Sequence, residues 1–245
     1  MHGKILAFTF WILVWQIISM IIGQEILIVS PILVITKLIE LIPTIDFWST
    51  ILFSFSRIIL GFIMGTLAAI FLAYFSYKSK IIKELLKPLM SVVKATPVVS
   101  FIILALIWVS SKNLSILISF LMVLPIIYTG VLEGAINTDK KMLEMSKIFS
   151  VKWYKKFKYV YLPEIMPFFV AACSVGLGFC WKSGIAAEII GIPAGSIGEK
   201  MYEAKLFLNT SELFAWTVTI IIISIVFEKT FMYLIKLVEE KWKYN

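Results

Sequence analysis

Long apolar runs alternate along this chain with shorter stretches that hold most of its lysines. Charge-free runs of about twenty residues recur, which is the helix length that ~30 Å of hydrocarbon requires. A membrane β-barrel would instead show weakly alternating segments of about ten residues. The pattern therefore predicts an all-α polytopic membrane protein with six transmembrane helices.

The predicted spans divide the chain into an N-terminal part and a core. Residues 1–29 hold the first helix, Ile5–Ile22, and its outer connection. This run is long for a signal-peptide core and no small-residue cleavage site follows it, so we interpret it as a retained span. Pro31 and Pro43 then bracket a short stretch, broken by Lys37 and Glu40, that favours an interfacial helix. Five further spans are predicted in the core, residues 30–245, at about 47–77, 88–111, 114–132, 165–190 and 213–235.

Proline and glycine mark the predicted irregularities of the core. Pro97 removes a backbone hydrogen bond within the third span and predicts a kink or interruption there. The stretch from Gly191 to Glu212 contains Gly195 and Gly198 as turn formers, and we expect it to be an outer loop.

Two of the spans carry a small residue at every fourth position. This spacing lets two helices approach closely, because no bulky side chain separates their backbones. We therefore predict helix-packing faces at Gly61, Gly65, Ala69 and Ala73 in the second span, and at Ala172, Gly176 and Gly184 in the fifth.

Composition excludes an ordinary soluble domain. Hydrophobic residues make up 60% of the chain and charged residues only 16%, with a mean hydropathy of +0.97, whereas soluble domains carry about 25% charged residues. The net charge of +8 invites a nucleic-acid interpretation, but membrane topology explains it better. With both termini in the cytoplasm, fifteen lysines lie inside and four outside, as the positive-inside rule requires. Lys78 to Lys87 then mark one cytoplasmic loop.

A lysine-rich segment, Asp139 to Pro163, interrupts the apolar runs near the middle of the chain. Met142, Met145 and Phe149 recur at helical spacing, so a short amphipathic helix is predicted. A second periodic run follows and is expected to stop at Leu162-Pro163, because proline cannot donate the next helical hydrogen bond.

This segment resembles a known signature of ABC-importer permeases: Glu-Ala-Ala, three residues, Gly, nine residues, Ile, one residue, Leu-Pro. Five positions of the chain have that spacing: Glu144, Ser150, Val160, Leu162 and Pro163. Met145 and Ser146 stand where the two alanines would be, and Ser150 stands where the glycine would be. Further stretches, among them Lys94 to Pro97 and Trp181 to Glu188, extend the resemblance to the nitrate/sulfonate/taurine type of these permeases.

The resemblance implies a transport subunit of the cytoplasmic membrane that carries a small, anionic solute. Its partners would be a second copy of the permease, an ABC ATPase dimer that binds ATP and Mg, and an extracytoplasmic solute-binding protein. The chain itself would bind no cofactor, metal or nucleic acid. The residues implied in ATPase coupling are Met142, Glu144, Met145, Ser146, Phe149, Ser150, Leu162 and Pro163. The alternative for this segment is a basic loop lying on anionic lipid.

Ionisable residues within membrane helices tend to face the interior of the bundle and to serve function. Arg57, Lys182 and Glu188 are therefore candidates for the translocation pathway. Lys182 would offer positive charge to an anionic substrate; the alternative is a buried ion pair with another span. For Arg57 the alternative is anchoring at the interface, and Lys94 is expected to extend towards the interface as well.

Enzymatic functions find little support. His2 is the sole histidine, so histidine metal sites and a Ser-His dyad are not expected, and no catalytic residues are predicted. The phosphate-loop pattern is not met either, so hydrolysis of ATP is expected in a partner. A secondary transporter or channel, driven without an ATPase, remains the main alternative, with a membrane-embedded enzyme as a third class.

Overall fold

The computed structural model describes residues 2–243, with side chains from 3 to 237 apart from 4, 5 and 8. The side chains of His2, Lys4, Lys241 and Lys243, which entered the predictions above, lie outside the described residues. Regular structure between residues 2 and 243 is entirely helical. The helices are α1 (His2–Ile22), α2 (Pro31–Leu41), α3 (Ile45–Lys78), α4 (Lys80–Ala95), α5 (Val98–Ala105), α6 (Ser111–Ile136), α7 (Lys140–Ile148), α8 (Trp153–Lys156), α9 (Leu162–Gly191), α10 (Ile197–Leu206) and α11 (Thr210–Lys243), and a π-helical turn, Phe157–Tyr161, joins α8 to α9.

Four helical stretches in the described part are long and apolar enough to cross a membrane. They are Ile45–Lys78, Ser111–Ile136, Trp153–Gly191 and Thr210–Leu237. Helices α4 and α5 would form a fifth span as a pair bent by 100°. The predicted class, an all-α polytopic membrane protein, is confirmed. The count of six is consistent with these helices and with the apolar Thr9–Ile22 of α1, but their lengths alone do not establish it.

The centre of the bundle is α6, which packs between α3 and α9. A Cβ atom at Gly61 of α3 would lie 2.5 Å from the carbonyl oxygen of Ile116, and one at Gly65 would lie 3.0 Å from that of Phe120. On the other side, a Cβ atom at Gly134 of α6 would lie 2.9 Å from the Cα atom of Ile165. These glycines let the backbones approach closely, and α6 is consequently buried on both sides.

The small residues predicted as packing faces all lie within the bundle. In α3, Gly61 and Gly65 face α6, and Ala69 and Ala73 are buried in the same core. In α9, the Cβ of Ala172 lies against Gly130 of α6. The remaining two are Gly176, whose nearest neighbours are Ile127 and Phe62, and Gly184, which lies against Ile58 and Ser119.

The prediction of a loop from Lys78 to Lys87 is wrong, because most of this stretch is the first part of α4. Ser79 has an extended backbone that ends α3, and its hydroxyl accepts a hydrogen bond from the amide of Ile82 at 3.4 Å. Lys78 ends α3 and Lys80, Lys83 and Lys87 lie in α4, where Met90 and Val93 are buried against the bundle. Most of the lysines in this stretch therefore belong to a helix and not to a loop.

The third span is interrupted at Pro97 more sharply than a kink. Thr96 is extended, with ψ of 129°, because a residue before proline is disfavoured in the helical region. The chain resumes as α5 at an angle of 100° to α4. The 88–111 span is thus two helices and not one.

Two further boundaries differ from the predictions. The helix does not stop at Pro163, because Trp153–Gly191 is continuous. The amide of Leu162 donates to the carbonyl of Phe157 in the π turn. Pro163 falls in the first turn of α9, where a missing N–H is tolerated. The outer loop also contains a helix, α10, which begins at the Ser196 cap, whose hydroxyl accepts from the amide of Glu199 at 3.0 Å.

Candidate functional site

Helix α7 is a short, capped helix at one end of the bundle. The carboxylate of Asp139 accepts a hydrogen bond from the amide of Lys141 at 2.8 Å, which satisfies an amide in the first turn. Most of its side chains are exposed, and Ser146 faces the bundle. Ser146 is buried, with 7% of its surface exposed, and its hydroxyl donates to the carbonyl of Leu143 at 2.7 Å.

The large apolar side chains of α7 point away from the bundle. Met145 is 52% exposed and Phe149 is 72% exposed, and Met142 and Ile148 are exposed as well. We call these four residues the α7 apolar row. Contiguous exposed apolar residues mark interaction surfaces. Most of the predicted coupling residues in α7 therefore lie where a partner could reach them, including Glu144, whereas Ser146 faces the bundle.

Ser150 ends α7 in a left-handed conformation, with φ of 48°. Its amide bonds to the carbonyl of Lys147 at 3.0 Å, and the amide of Val151 bonds to the carbonyl of Ser146 at 2.9 Å. This pair of hydrogen bonds is a Schellman motif. Ser150 occupies its left-handed position, just after the helix cap, where glycine is the usual residue. The geometry explains why the resembled signature has glycine at this position.

An aromatic surface follows α7. Trp153 and Phe157 stack with ring centroids 5.6 Å apart, and both are exposed together with Tyr154. The hydroxyl of Tyr161 lies 3.1 Å from that of Tyr77 and so ties this segment to the end of α3. Of the last two predicted coupling residues, Leu162 is half-buried and Pro163 is exposed at the start of α9.

Lys182 lies on an open side of α9. It is exposed and follows Val175 and Phe179 on the same side of the helix, both exposed as well. No ion pair or hydrogen bond of Lys182 occurs within the described part of the chain. Nine residues separate Lys182 from the end of α9 at Gly191, or about 14 Å at 1.5 Å per residue, which places it within the apolar span.

Glu188 is fully buried, with 0% of its surface exposed. Its Oε2 atom accepts hydrogen bonds from the hydroxyl of Ser54 at 2.6 Å and from the amide of Gly198 at 3.3 Å. Ser54 in turn accepts from the amide of Ile197 at 2.9 Å. The carboxylate thus lies at the N-terminus of α10, where the helix dipole favours negative charge.

These contacts join three elements and leave Glu188 closed off from any open side of the bundle in this structure. A Cβ atom at Gly198 would lie 2.4 Å from the Cβ of Glu188, so α10 can approach α9 only because residue 198 is glycine. Sequence reasoning missed Ser54. A signal existed in the spacing of Thr50 and Ser54, two buried polar residues four apart in an apolar span.

Arg57 and Lys94 each donate a hydrogen bond to α6. The Nε atom of Arg57 donates to the carbonyl of Lys112 at 2.6 Å, and its guanidinium lies 4.0 Å from the ring centroid of Phe53. This geometry favours anchoring between α3 and the start of α6. Lys94 donates to the hydroxyl of Thr129 in α6 at 2.8 Å.

A second anchor holds α10 to α3. Lys200 lies 2.9 Å from the carboxylate of Asp46, and this hydrogen bond is the main reason why the pKa of Lys200 is raised above its ordinary value. No group of three potential metal-ligating His, Cys, Asp or Glu residues occurs among the described residues.

The fold and these surfaces define a helical membrane transport subunit, with a capped amphipathic helix exposed at one end and an unpaired lysine on an open side of a span. The family model for the binding-protein-dependent transport system inner membrane component matches residues 61–244. The chain belongs to this family of ABC transporter permeases.

Relatives agree with the type that the motifs indicated. The putative aliphatic sulfonates transport permease protein SsuC of Escherichia coli is 26% identical over 200 residues, covering 80% of this chain and 75% of its own length. The nitrate import permease protein NrtB of Synechococcus elongatus is 23% identical over 206 residues, covering 78% and 72%. The resemblance to the nitrate/sulfonate/taurine type is confirmed.

A solved structure shares the fold. The crystal structure of an amino acid ABC transporter with histidines superposes with a TM-score of 0.58 at 19% identity, covering 84% of this chain and 97% of that one. Family membership makes this chain an inner membrane component and implies a solute-binding protein and an ATPase as partners.

Proposed function

We propose that this chain is the permease subunit of an ATP-driven importer, and that α7 docks into its ATPase. The observation that carries the proposal is the α7 apolar row, which is exposed on a helix whose two ends are fixed by caps. Amphipathic helices bind grooves through such rows of anchors. The ATPase dimer binds ATP with Mg, and its closure moves α7 and the spans connected to it.

Orientation follows from the same docking role. The lysines around α7 support a cytoplasmic location by the positive-inside rule, and with that orientation both termini lie on the cytoplasmic side. Helix α10 lies at the opposite end of α9, where the solute-binding protein delivers substrate. Exposed lysines at the α7 end also hold the docking helix near the anionic inner leaflet until an ATPase binds.

Lys182 supports an anionic cargo. An exposed, unpaired cation facing lipid in mid-span would be costly, so a second copy of the chain covers this side of α9 and encloses a watery path. A small anion in that path gains the attraction of Lys182. The relatives named for aliphatic sulfonates and for nitrate carry cargo of this charge class, which agrees with the proposal.

The docking role is tested by co-purification of the ATPase with two matched variants. Phe149→Asp places a charge in the α7 apolar row, and Phe207→Asp places the same charge on a side chain that is 81% exposed at the other end of the bundle. We expect Phe149→Asp to insert normally but to lose the ATPase, and Phe207→Asp to retain it. Retention of the ATPase by both variants would contradict the proposal.

A further inference from the structure

A cavity of about 530 Å³ opens between the end of α9, helix α10 and the first turn of α11. It lies at the end of the bundle opposite α7, the same end to which the solute-binding protein is proposed to deliver substrate. Its volume falls within the range of roughly 300–1,000 Å³ that is typical of small-molecule sites.

The walls of the cavity are mainly apolar, with polar groups contributed by α10. Ile189 and Ile190 of α9, Met201 of α10 and Leu213 of α11 supply the apolar part. Tyr202 and Lys205, whose side chains carry a hydroxyl and an ammonium group, also line the cavity. Such a lining suits an amphiphile, with an apolar body and a polar end, better than it suits a small hydrated ion.

Lys205 is exposed and forms no ion pair or hydrogen bond with the described residues. Lys200, one and a half turns earlier on α10, is instead paired with Asp46 at 2.9 Å. The charge of Lys205 is therefore available to an external anion, and that of Lys200 is already matched. This contrast within one helix indicates that the occupant carries negative charge.

The surroundings of the cavity indicate a lipid. Helix α11, which forms one wall, exposes Ile221, Ile222 and Ile225 further along the same helix, so acyl chains of the bilayer surround it. Tyrosine and lysine with apolar stems are typical of the boundary between hydrocarbon and headgroups. The mouth of the cavity thus lies where a phosphate and an acyl chain occur together.

We propose that this cavity binds one anionic phospholipid, whose acyl chain contacts Ile190 and Leu213 while its phosphate contacts Lys205 and Tyr202. Three helices form the cavity, so the lipid joins α10 and α11 to the end of α9. The proposal depends on the membrane location of the chain and is independent of the cargo or of ATPase docking.

The test is retention of phosphatidylglycerol by the purified full-length permease. The protein is reconstituted in nanodiscs of phosphatidylcholine with 20% phosphatidylglycerol (about one lipid in five) and re-extracted in mild detergent. Native mass spectrometry then identifies the bound lipid. A specific contact should retain the anionic lipid selectively. Lys205→Met is compared with Lys112→Met, which removes an exposed lysine that does not line the cavity. We expect about tenfold weaker retention for Lys205→Met, since a hydrogen bond to a charged group contributes about 1.5 kcal/mol, and unchanged retention for Lys112→Met.

A second variant, Leu213→Trp, fills the apolar part and leaves both polar groups in place. It is expected to lose phosphatidylglycerol as well, whereas glycerol phosphate without acyl chains should not displace the lipid from the unchanged protein. Equal retention by Lys205→Met and Lys112→Met would overturn the proposal. Displacement by glycerol phosphate would assign the site to a free anion and overturn the lipid assignment. Because Lys205 is exposed, Lys205→Met is expected to fold. It therefore tests the lipid assignment even if Leu213→Trp does not fold.

Discussion

Replacement of Ser150 by glycine is expected to stabilise the C-terminal end of α7. Ser150 has φ of 48°, and a left-handed conformation costs a non-glycine residue roughly 1–2 kcal/mol. Glycine adopts this conformation freely, but it lowers the free energy of unfolding by about 0.4–1 kcal/mol because it increases the conformational entropy of the unfolded chain. The difference leaves a gain of about 0.5–1 kcal/mol for the folded end of the helix.

Hydrogen exchange measures this gain locally. A stabilisation of that size slows exchange from local opening by about two- to fivefold, and the effect should be confined to the amides of Ser150 and Val151, which close the Schellman motif. Ser91→Gly is the matched control, because Ser91 lies exposed inside α4 and glycine within a helix is destabilising. Faster or unchanged exchange in Ser150→Gly, with the expected loss of protection in Ser91→Gly, would refute the reasoning.

Three further changes have distinct expected results. Glu188→Leu should detach the first turn of α10, because the Ser54 hydroxyl and the Gly198 amide lose their acceptor, at a cost of about 1–3 kcal/mol for each unsatisfied group. Hydrogen exchange of the α10 amides should become faster. The increase should be smaller in Glu188→Gln, which keeps an acceptor oxygen. Lys182→Met should lower anion transport severalfold without loss of assembly, whereas Lys112→Met should not; equal transport in both would end the role of Lys182. Gly61→Leu should prevent folding, because its Cβ would lie 2.5 Å from a carbonyl oxygen of α6. Loss of the monodisperse species on size-exclusion chromatography measures this. The control Gly178→Leu should fold, because no atom lies within 4 Å of a Cβ at residue 178.

The sequence allowed the membrane class, the main apolar spans and α7 to be predicted, because these depend on local hydrophobic periodicity. Asp139 and Phe149 bound a periodic run that needs no tertiary partner to be recognised. The short α10 was missed because Gly195 and Gly198 were interpreted as turn residues. Gly195 does have a positive φ of 80°, but Gly198 lies in a helix and serves close approach to α9, which only the folded structure reveals.

The roles of the ionisable residues also depended on tertiary contacts. Glu188 and Lys182 were both candidates for the pathway, and nothing in their spacing told which would be buried. The partners of Glu188 are Ser54, 134 positions away, and α10, so its role as an anchor could not be inferred from its own helix. Pro163 was misjudged for a similar reason, because the π turn before it depends on geometry that hydrophobic periodicity does not encode.

The central claim is that the α7 apolar row is a cytoplasmic docking surface for the ATPase. Phe149→Cys tests it directly, because the native Cys173 and Cys180 are buried and an introduced thiol reacts alone with a membrane-impermeant maleimide. The account predicts labelling of Phe149→Cys only in inside-out vesicles, protection when the ATPase is bound, and labelling of the control Phe207→Cys only from the opposite side. Labelling of Phe149→Cys from outside the cell, or labelling unchanged by the ATPase, would contradict it.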